Sequence, residues 1–318
     1  MPRRSSVTVQ TGTWAVILAG GDGVRLRGLT RGITGDDRPK QFCALVGPDT
    51  LLGDTRRRTA RAVPGRRTLI VVTKSHERYY QPLLTGVPES SVVVQPENRG
   101  TGAAILYALL RIAATAPQDT VAFFPSDHYV SDDEAFMAHV EQAFETTRQR
   151  PDLITLLGIT PERVEPGYGW IQAGEPVAGV QPAGLRWVRR FSEKPALAER
   201  IRFPAQGWLW NSFVMVGQVS TFLHVINLAV PSLCEAFNVV RPTLGSTDET
   251  AAVERLYRGL ASVDFSREVL SARPGRLAVL PVRDVHWNDL GDPDRLLASW
   301  RHVLQEAIPE TLPVRMSA

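Results

Sequence analysis

Near its N-terminus the sequence contains Trp14-Ala15-Val16-Ile17-Leu18-Ala19-Gly20-Gly21-Asp22-Gly23-Val24-Arg25-Leu26, an apolar run that changes at once into a glycine-rich segment. A short apolar run of this kind is typical of a strand buried on both faces. Three glycines in four positions let backbone amides approach an anion without an intervening Cβ. The segment is therefore either a phosphate-binding loop, formed by residues 18–23, or an ordinary connection after a strand. It matches neither the P-loop pattern nor the complete GxGxxG fingerprint, because Leu26 stands where a third glycine would fall.

The chain continues with alternating strand-like and helix-like segments. Further apolar runs lie at 68–72, 92–95, 120–124 and 153–157, and helix-compatible segments lie at 51–63, 75–84, 102–115 and 132–147. This alternation predicts an α/β fold with a Rossmann-like, mostly parallel sheet flanked by helices on both sides. Ligands of such sheets bind beyond the carboxyl ends of the strands, so residues that follow each run are candidates for a site.

The pattern becomes less regular after about residue 160, with strand-like segments at 167–171, 186–191 and 208–216. We expect this part to cover the ligand. The chain is thus interpreted as one domain over 13–306, with a nucleotide-binding half at about 13–160 and a second half at about 161–291. A flexible N-terminus is predicted at 1–12 and a C-terminal tail at 307–318.

Composition excludes several classes of partner. The chain has 318 residues with 36 basic and 33 acidic side chains, and a net charge of +3 is too balanced to predict a nucleic-acid surface. No apolar stretch approaches the roughly 20 residues that span a bilayer, so no membrane role is expected. The two cysteines, Cys43 and Cys234, are too few to suggest disulfides or a zinc site. A cytoplasmic location is therefore expected.

Two cations close to the glycine-rich segment are candidates for a role in chemistry. Arg25 and Lys40 are suited to charge that develops on a triphosphate. Each could equally be an exposed surface cation. Lys40 is nevertheless one of only three lysines and adjoins the rigid Pro39.

These motifs carry a resemblance to a known family. LAGGDGVRL at 18–26 followed by RPKQF at 38–42 resembles the signature of mannose-1-phosphate guanylyltransferases and related sugar-1-phosphate nucleotidyltransferases. Further matches follow in order at 95–102, 125–128, 167–171, 191–195, 210–212 and 287–291. The resemblance implies a nucleotidyltransferase architecture of the GT-A-like type with an irregular sugar-binding half. It also implies transfer of a nucleotidyl group from GTP to mannose 1-phosphate, giving GDP-mannose and pyrophosphate, with Arg25 and Lys40 as the catalytic cations.

The resemblance assigns the remaining nucleotide contacts. Gln95, Asn98, Arg99 and Thr101 lie around the start of a predicted helix, where backbone amides favour an anion or polar ligand. Capping of that helix by Thr101 is the alternative. By resemblance these residues bind the nucleotide beside the residues of the loop at 18–23, and residues 95–99 help to recognise the base or ribose.

Asp127 and Asp289 are candidates for a magnesium site, because Mg²⁺ is commonly held by one or two carboxylates together with phosphates and water. A single Asp at a strand end is otherwise a turn or cap residue, and sequence alone does not pair the two. The resemblance does pair them. His128 is expected to be structural, because an attacking sugar phosphate is already anionic.

The sugar contacts also come from the resemblance, which assigns Gly169, Glu193 and Asn211 to the mannose hydroxyls and Lys194 to the phosphate. The alternative is a surface ion pair beside a core strand. Phe213 departs from the glycine usual in the family after Trp-Asn-Ser, and Val269-Leu270 stands where Glu-Lys is usual. Strand alternation places Phe213 on the same face as Asn211, and the ring is expected either in the sugar pocket or in the core.

Several alternatives remain open. The same reaction could use another base or sugar, as in glucose-1-phosphate thymidylyl-, uridylyl- or adenylyltransferases. A non-catalytic relative that senses nucleotide sugars is a second alternative, and a nicotinamide-dependent dehydrogenase is a third. The expected partners are GTP and a sugar 1-phosphate, with a homodimer left open. The chain ends soon after a helix predicted at 294–305, so we expect no isomerase domain of the kind that longer relatives carry.

Overall fold

A computed structural model describes residues 12–307 of the chain. The predicted flexible N-terminus at 1–12 and the predicted C-terminal tail at 307–318 therefore lie outside the described residues, except for Gly12 and Ala307. The strands are β1 Thr13–Leu18, β2 Thr68–Thr73, β3 Val92–Gln95, β4 Thr120–Pro125, β5 Tyr129–Val130, β6 Ile154–Ile159, β7 Gly169–Pro176, β8 Arg186–Glu193, β9 Trp208–Gln218, β10 Leu277–Val282 and β11 Trp287–Asn288. The α-helices are α1 Arg27–Thr34, α2 Leu51–Thr59, α3 Glu77–Tyr80, α4 Gly100–Ala113, α5 Asp133–Gln149, α6 Leu197–Arg200, α7 Val219–Ala229, α8 Pro231–Asn238, α9 Glu249–Tyr257 and α10 Pro293–Ala307.

One large sheet runs through the domain in the order β3-β2-β1-β4-β9-β6-β10-β8-β7. The pairings among β1, β2, β3 and β4 are all parallel, which confirms the predicted parallel sheet in the first half. The second half is mixed, since β9 runs antiparallel to β4, β6 and β7. Here β7 and β8 pair directly in antiparallel fashion, so no crossover helix is needed between them.

Helices cover both faces of the sheet, as predicted. Every residue of β2, β4 and β6 is buried, which is typical of strands packed on both sides. Helices α4, α7, α8 and α9 contribute to one apolar core, and α5 contributes to another on the opposite face. The carboxyl ends of β1, β2, β3 and β4 consequently meet at one edge, where the glycine-rich segment begins.

The predicted helices agree with the structure to different degrees. The helix predicted at 132–147 is confirmed as α5, which begins at Asp133, and the Asp132 side chain caps it by accepting hydrogen bonds from the amides of Glu134 and Ala135. The helix predicted at 75–84 contains only one four-residue α-helix, α3, between two 3-10 turns. The second turn has Pro82 at its start, and proline does not continue a preceding helix.

Within residues 12–307 no single helix is long and apolar enough to cross a membrane. Helices α7 and α8 meet that requirement only as a pair, and the two are bent by 114°. Both contribute buried side chains to the core, among them Phe222 and Phe237. Cys43 and Cys234 are both free and buried.

Candidate functional site

A cavity of about 650 Å³ opens at the carboxyl edge of the parallel strands and is lined by residues of both halves. Its size is within the range of small-molecule sites. The predicted site residues that line it are Leu18, Gly20, Gly21, Asp22, Arg25, Gln95, Asn98, Thr101, Asp127, Gly169, Glu193, Lys194, Asn211 and Asp289. The predicted residues outside the lining are Ala19, Gly23, Lys40 and Arg99. The fold thus brings residues that are far apart in sequence to one cavity.

The glycine-rich loop is shaped by close contacts that need glycine. A Cβ on Gly20 would lie 2.8 Å from Gln95 Nε2 and 2.9 Å from Thr73 Oγ1, which is too close for a side chain. Gly23 adopts a φ of 59°, in the left-handed region that favours glycine. These constraints hold the loop against β2 and β3, beside the cavity.

Charged groups on this loop differ in their partners. Asp22 accepts a hydrogen bond from Asn98 Nδ2 at 2.9 Å, and His76 Nε2 lies 3.3 Å from its other carboxylate oxygen. Arg25 lines the cavity, is exposed and forms no ion pair with any residue in 12–307. Its guanidinium is therefore available to an anion in the cavity.

The start of α4 is fixed by the second half of the chain. The helix begins at Gly100, so Thr101 already lies inside it, and the predicted capping alternative is wrong. Instead, Thr101 Oγ1 accepts a hydrogen bond from the Phe265 amide at 2.9 Å. Arg99 turns to Glu97, with an ion pair of 2.7 Å. This end of α4 is thus tied to the 263–265 segment.

Gln95 ends β3 and is 2% exposed. The hydroxyl of Tyr257, from α9, donates a hydrogen bond to Gln95 Oε1 at 3.1 Å. The amide nitrogen lies on the Gly20 side, where Gln95 lines the cavity. The Gln95 amide therefore has its acceptor occupied and its donor directed toward the loop.

Lys40 links the two predicted metal ligands. Its ammonium lies 3.1 Å from Asp127 Oδ2 and donates hydrogen bonds to the carbonyls of Asp289 and Leu290. Burial opposes ionisation of Asp127, but Lys40 and His128 outweigh it and hold the pKa of Asp127 below its ordinary value. Burial also lowers the pKa of His128 to about 4. Asp127 is therefore an anion and His128 a neutral ring at neutral pH, while the role of Lys40 toward charge that develops on a triphosphate stays a prediction.

The carboxylate oxygens of Asp127 and Asp289 fit a magnesium ion whose remaining ligands are not protein side chains. Both carboxylates line the same cavity. In the described part of the chain no group of three or more His, Cys, Asp and Glu side chains is arranged to hold a metal. Mg²⁺ is usually bound through one or two carboxylates plus phosphates and water, rather than by a cage made only of protein. The pair therefore suits a cation that arrives with a phosphate ligand.

The second half supplies polar groups from β7, β8 and β9. Gly169 is paired with Glu193 across β7 and β8, and a Cβ on Gly169 would lie 2.7 Å from Glu193 Oε2. Burial raises the pKa of Glu193, and its ion pair with Lys194, at 3.1 Å, opposes that rise. Asn211 is buried and accepts a hydrogen bond from the Phe213 amide at 3.1 Å. Polar groups projecting from apolar walls are typical of a pocket for a polar ligand.

Phe213 combines an unusual backbone with a place in the cavity wall. Its φ is 60°, and the pairing of β9 with β6 shifts register between Leu156 and Gly158, opposite this segment. The ring is half-buried and lines the cavity beside Asn211. It lies edge-on to the Phe265 ring, with 6.4 Å between the two ring centroids. Glycine adopts such a left-handed conformation without strain, whereas Phe213 carries a side chain in it.

Several lining residues were not among the predicted site residues: Tyr168, Asp264, Ser266 and Trp287. Tyr168 and Trp287 lie inside the motifs at 167–171 and 287–291, on which the family resemblance rests. The sequence therefore indicated the segments to which they belong. Asp264 belongs to none of the motifs on which the resemblance rests. Its position in the cavity depends on the contact between residues 263–265 and α4.

Comparison with known proteins identifies the family. The nucleotidyl transferase family model matches residues 14–306. The chain is 32% identical over 286 residues to xanthan biosynthesis protein XanB of Xanthomonas campestris pv. campestris strain B100, covering 89% of this chain and 58% of that protein. It is 30% identical over 293 residues to mannose-1-phosphate guanylyltransferase of Escherichia coli K12, with the same 89% and 58% coverage.

The chain thus spans about 58% of the length of these curated relatives. A solved structure of mannose-1-phosphate geranyltransferase from Thermus thermophilus is also similar, with a TM-score of 0.75 and 31% identity. That similarity covers 88% of this chain and 77% of the other. Since the family model extends over nearly all of the described residues, this chain belongs to the nucleotidyl transferase family.

Proposed function

We propose that this chain transfers a guanylyl group from GTP to mannose 1-phosphate, giving GDP-mannose and pyrophosphate. The observation that carries the proposal is a single cavity lined by the glycine-rich loop and Arg25 on one side and by Glu193 and Asn211 on the other. Two substrates held in one cavity can react directly, at a large gain over the bimolecular reaction. The choice of GTP and mannose 1-phosphate is supported by the relative from Escherichia coli, whose name describes that reaction.

The proposed chemistry is an in-line displacement. An oxygen of the sugar 1-phosphate forms a bond to the α-phosphorus of GTP, while the bond from that phosphorus to the bridging oxygen breaks. The electron pair leaves with pyrophosphate. Because the attacking phosphate is already anionic, no general base is required, and the protein contributes mainly positioning and charge neutralisation.

The charged side chains have distinct proposed roles. Arg25 is exposed and without an ion pair among the described residues, which suits it to hold the triphosphate. Asp127 and Asp289 would hold a magnesium ion, which supplies charge neutralisation at the phosphates when bound. Lys40 keeps Asp127 ionised and close to the 289–290 backbone. Glu193 and Asn211 would bind sugar hydroxyls, and the exposed Lys194 would bind the sugar phosphate.

A second candidate is the same reaction with a different sugar 1-phosphate. Phe213 favours it, because its ring lines the cavity beside Asn211 where the family usually has glycine. Pocket differences of this size change specificity by roughly 1 to 3 kcal/mol. The dehydrogenase alternative is at odds with membership in the nucleotidyl transferase family.

The test is a panel of nucleoside triphosphates crossed with sugar 1-phosphates, with product nucleotide sugar and pyrophosphate measured together. We expect the highest kcat/KM for GTP with mannose 1-phosphate. Preference for another sugar would support the second candidate. Binding of substrates without any product would contradict both and favour a sensing relative.

A further inference from the structure

Arg295 is a buried cation next to the predicted magnesium site. It lies on α10 and is 3% exposed, although nothing in its sequence context distinguishes it from a surface arginine. Its Nη1 atom lies 2.9 Å from Asp289 Oδ1, and its Nε atom donates a hydrogen bond to Asp292 Oδ2 at 2.6 Å. Glu165 is a more distant partner, at 3.9 Å. Isolated buried charges are costly, so these partners are needed to keep the guanidinium in place.

The guanidinium is also confined by its surroundings. It stacks over the Tyr168 ring, with 4.8 Å between the guanidinium carbon and the ring centroid. A Cβ on either Gly167 or Gly291 would lie 2.7 Å from Arg295 Nη2. Glycine at these two positions therefore leaves room for the guanidinium, which a side chain at either position would displace.

The Asp289 carboxylate is held asymmetrically. The Gly291 amide donates a hydrogen bond to Asp289 Oδ1 at 2.8 Å, and the Arg295 ion pair is to the same oxygen. In the region covered by residues 12–307, no hydrogen bond engages Asp289 Oδ2, and the shortest contact of Arg295 with this carboxylate is to Oδ1. One oxygen is thus fixed to the protein, while the other belongs to a side chain that lines the cavity.

We infer that Arg295 is a positioning residue, which fixes Asp289 through Oδ1 and leaves Oδ2 as the oxygen that binds a divalent cation. This inference rests on the proposed function, because it assumes that Asp289 is a metal ligand. Groups that orient metal ligands affect metal affinity without touching the metal, typically by 10- to 100-fold on mutation. The C-terminal helix α10 is thereby part of the active-site framework.

The experiment measures cation binding directly, with Mn²⁺ as the probe for the magnesium site. Electron paramagnetic resonance would follow the Mn²⁺ that the protein binds in the presence of a non-hydrolysable GTP analogue, counted beyond the Mn²⁺ that the analogue binds without protein. Arg295→Met should weaken Mn²⁺ binding about 10- to 100-fold. Arg295→Lys should recover only part of it, because an ammonium keeps the charge but lacks the planar fork. Arg301→Met, an exposed position on the same helix, is the matched control and should bind Mn²⁺ as the wild type does.

Should Arg295→Met fail to fold, Asp292→Asn removes the charge that holds Arg295 Nε while leaving both Arg295 and Asp289 in place. It should weaken Mn²⁺ binding by a smaller factor of about 3 to 10, since one of several contacts is altered. If Arg295→Met folds and binds Mn²⁺ as the wild type does, the inference is overturned. If only Asp292→Asn folds, unchanged Mn²⁺ binding in that variant overturns it as well. Either result leaves the proposed reaction intact. Absence of Mn²⁺ binding in the wild type with the GTP analogue overturns the metal assignment and the inference together.

Discussion

The ammonium of Lys40 lies 3.1 Å from Asp127 Oδ2 and donates hydrogen bonds to the backbone carbonyls of Asp289 and Leu290. A residue of the PKQF motif thus joins the end of β4 to the loop that follows β11. The two candidate metal ligands come from segments 162 residues apart (289 minus 127). A buried cation thus bridges these segments, next to the antiparallel pairing of β5 with β11.

Lys40→Ala should destabilise the protein, because it leaves a carboxylate and two carbonyls without their shared donor. We expect a loss of roughly 2 to 3 kcal/mol, less than for a fully buried pair because the Asp127 side chain is 29% exposed. Lys74→Ala is the control, since Lys74 pairs with Glu254 at the surface and should contribute at most about 1 kcal/mol. Chemical denaturation measures both, and equal losses in the two variants would contradict the role of Lys40.

Asp127→Asn and Asp289→Asn should each lower turnover by at least about 100-fold, because the amide keeps the shape but loses the charge that attracts magnesium. Asp294→Asn, at an exposed position near Asp289, should have normal turnover. Removal of divalent cations with a chelator should abolish activity, and added Mg²⁺ should restore it. Full activity in chelator, measured by pyrophosphate release, would rule out the metal-dependent account.

Tyr257→Phe should reduce discrimination between bases. The lost hydroxyl donates to Gln95 Oε1 at 3.1 Å, so the amide would be free to turn over and present either its donor or its acceptor to a base. A hydrogen bond contributes about 1 kcal/mol, so we expect the ratio of kcat/KM for GTP to that for ATP to fall by roughly 5-fold. Tyr107→Phe removes a comparable buried hydroxyl, bonded to Glu249, outside the cavity. A similar change of the ratio in both variants would show that Tyr257 has no special effect.

Phe213→Gly should broaden the range of accepted sugar 1-phosphates, because the ring occupies the cavity wall beside Asn211. The variant loses a half-buried ring but relieves a left-handed conformation that costs a non-glycine residue roughly 1 to 2 kcal/mol. Phe213→Ala removes the ring and keeps this strain, so it should have the same sugar ranking as the glycine variant with a lower Tm. Unaltered sugar ratios in both variants would assign the ring to the core alone.

The sequence was most informative where local physics determines the outcome. Buried parallel strands are continuous apolar runs, so β1, β2 and β4 were located to within one residue at each end. The glycine-rich segment was also identifiable, because glycine is needed for close backbone contacts. The short α3 was not, since the apolar pattern at 75–84 does not distinguish an α-helix from successive 3-10 turns.

Long-range partners were beyond prediction. The bond from Lys40 to the Asp289 carbonyl joins residues 249 positions apart, and no periodicity encodes it. Arg295 has the appearance of a solvated residue on an amphipathic helix, and only the tertiary structure shows its burial. The left-handed backbone of Phe213 likewise depends on the register shift between β6 and β9.

The central claim is that GTP and a sugar 1-phosphate meet in one cavity and react directly. The most direct test is exchange of labelled pyrophosphate into GTP, measured with Mg²⁺ in the presence and absence of mannose 1-phosphate. A direct displacement predicts label in GTP only when the sugar phosphate is present, because no nucleotidyl-enzyme forms and GTP is regenerated only when labelled pyrophosphate attacks the GDP-mannose product. Exchange without sugar phosphate would contradict direct attack, and no exchange with any sugar 1-phosphate would contradict the reaction itself.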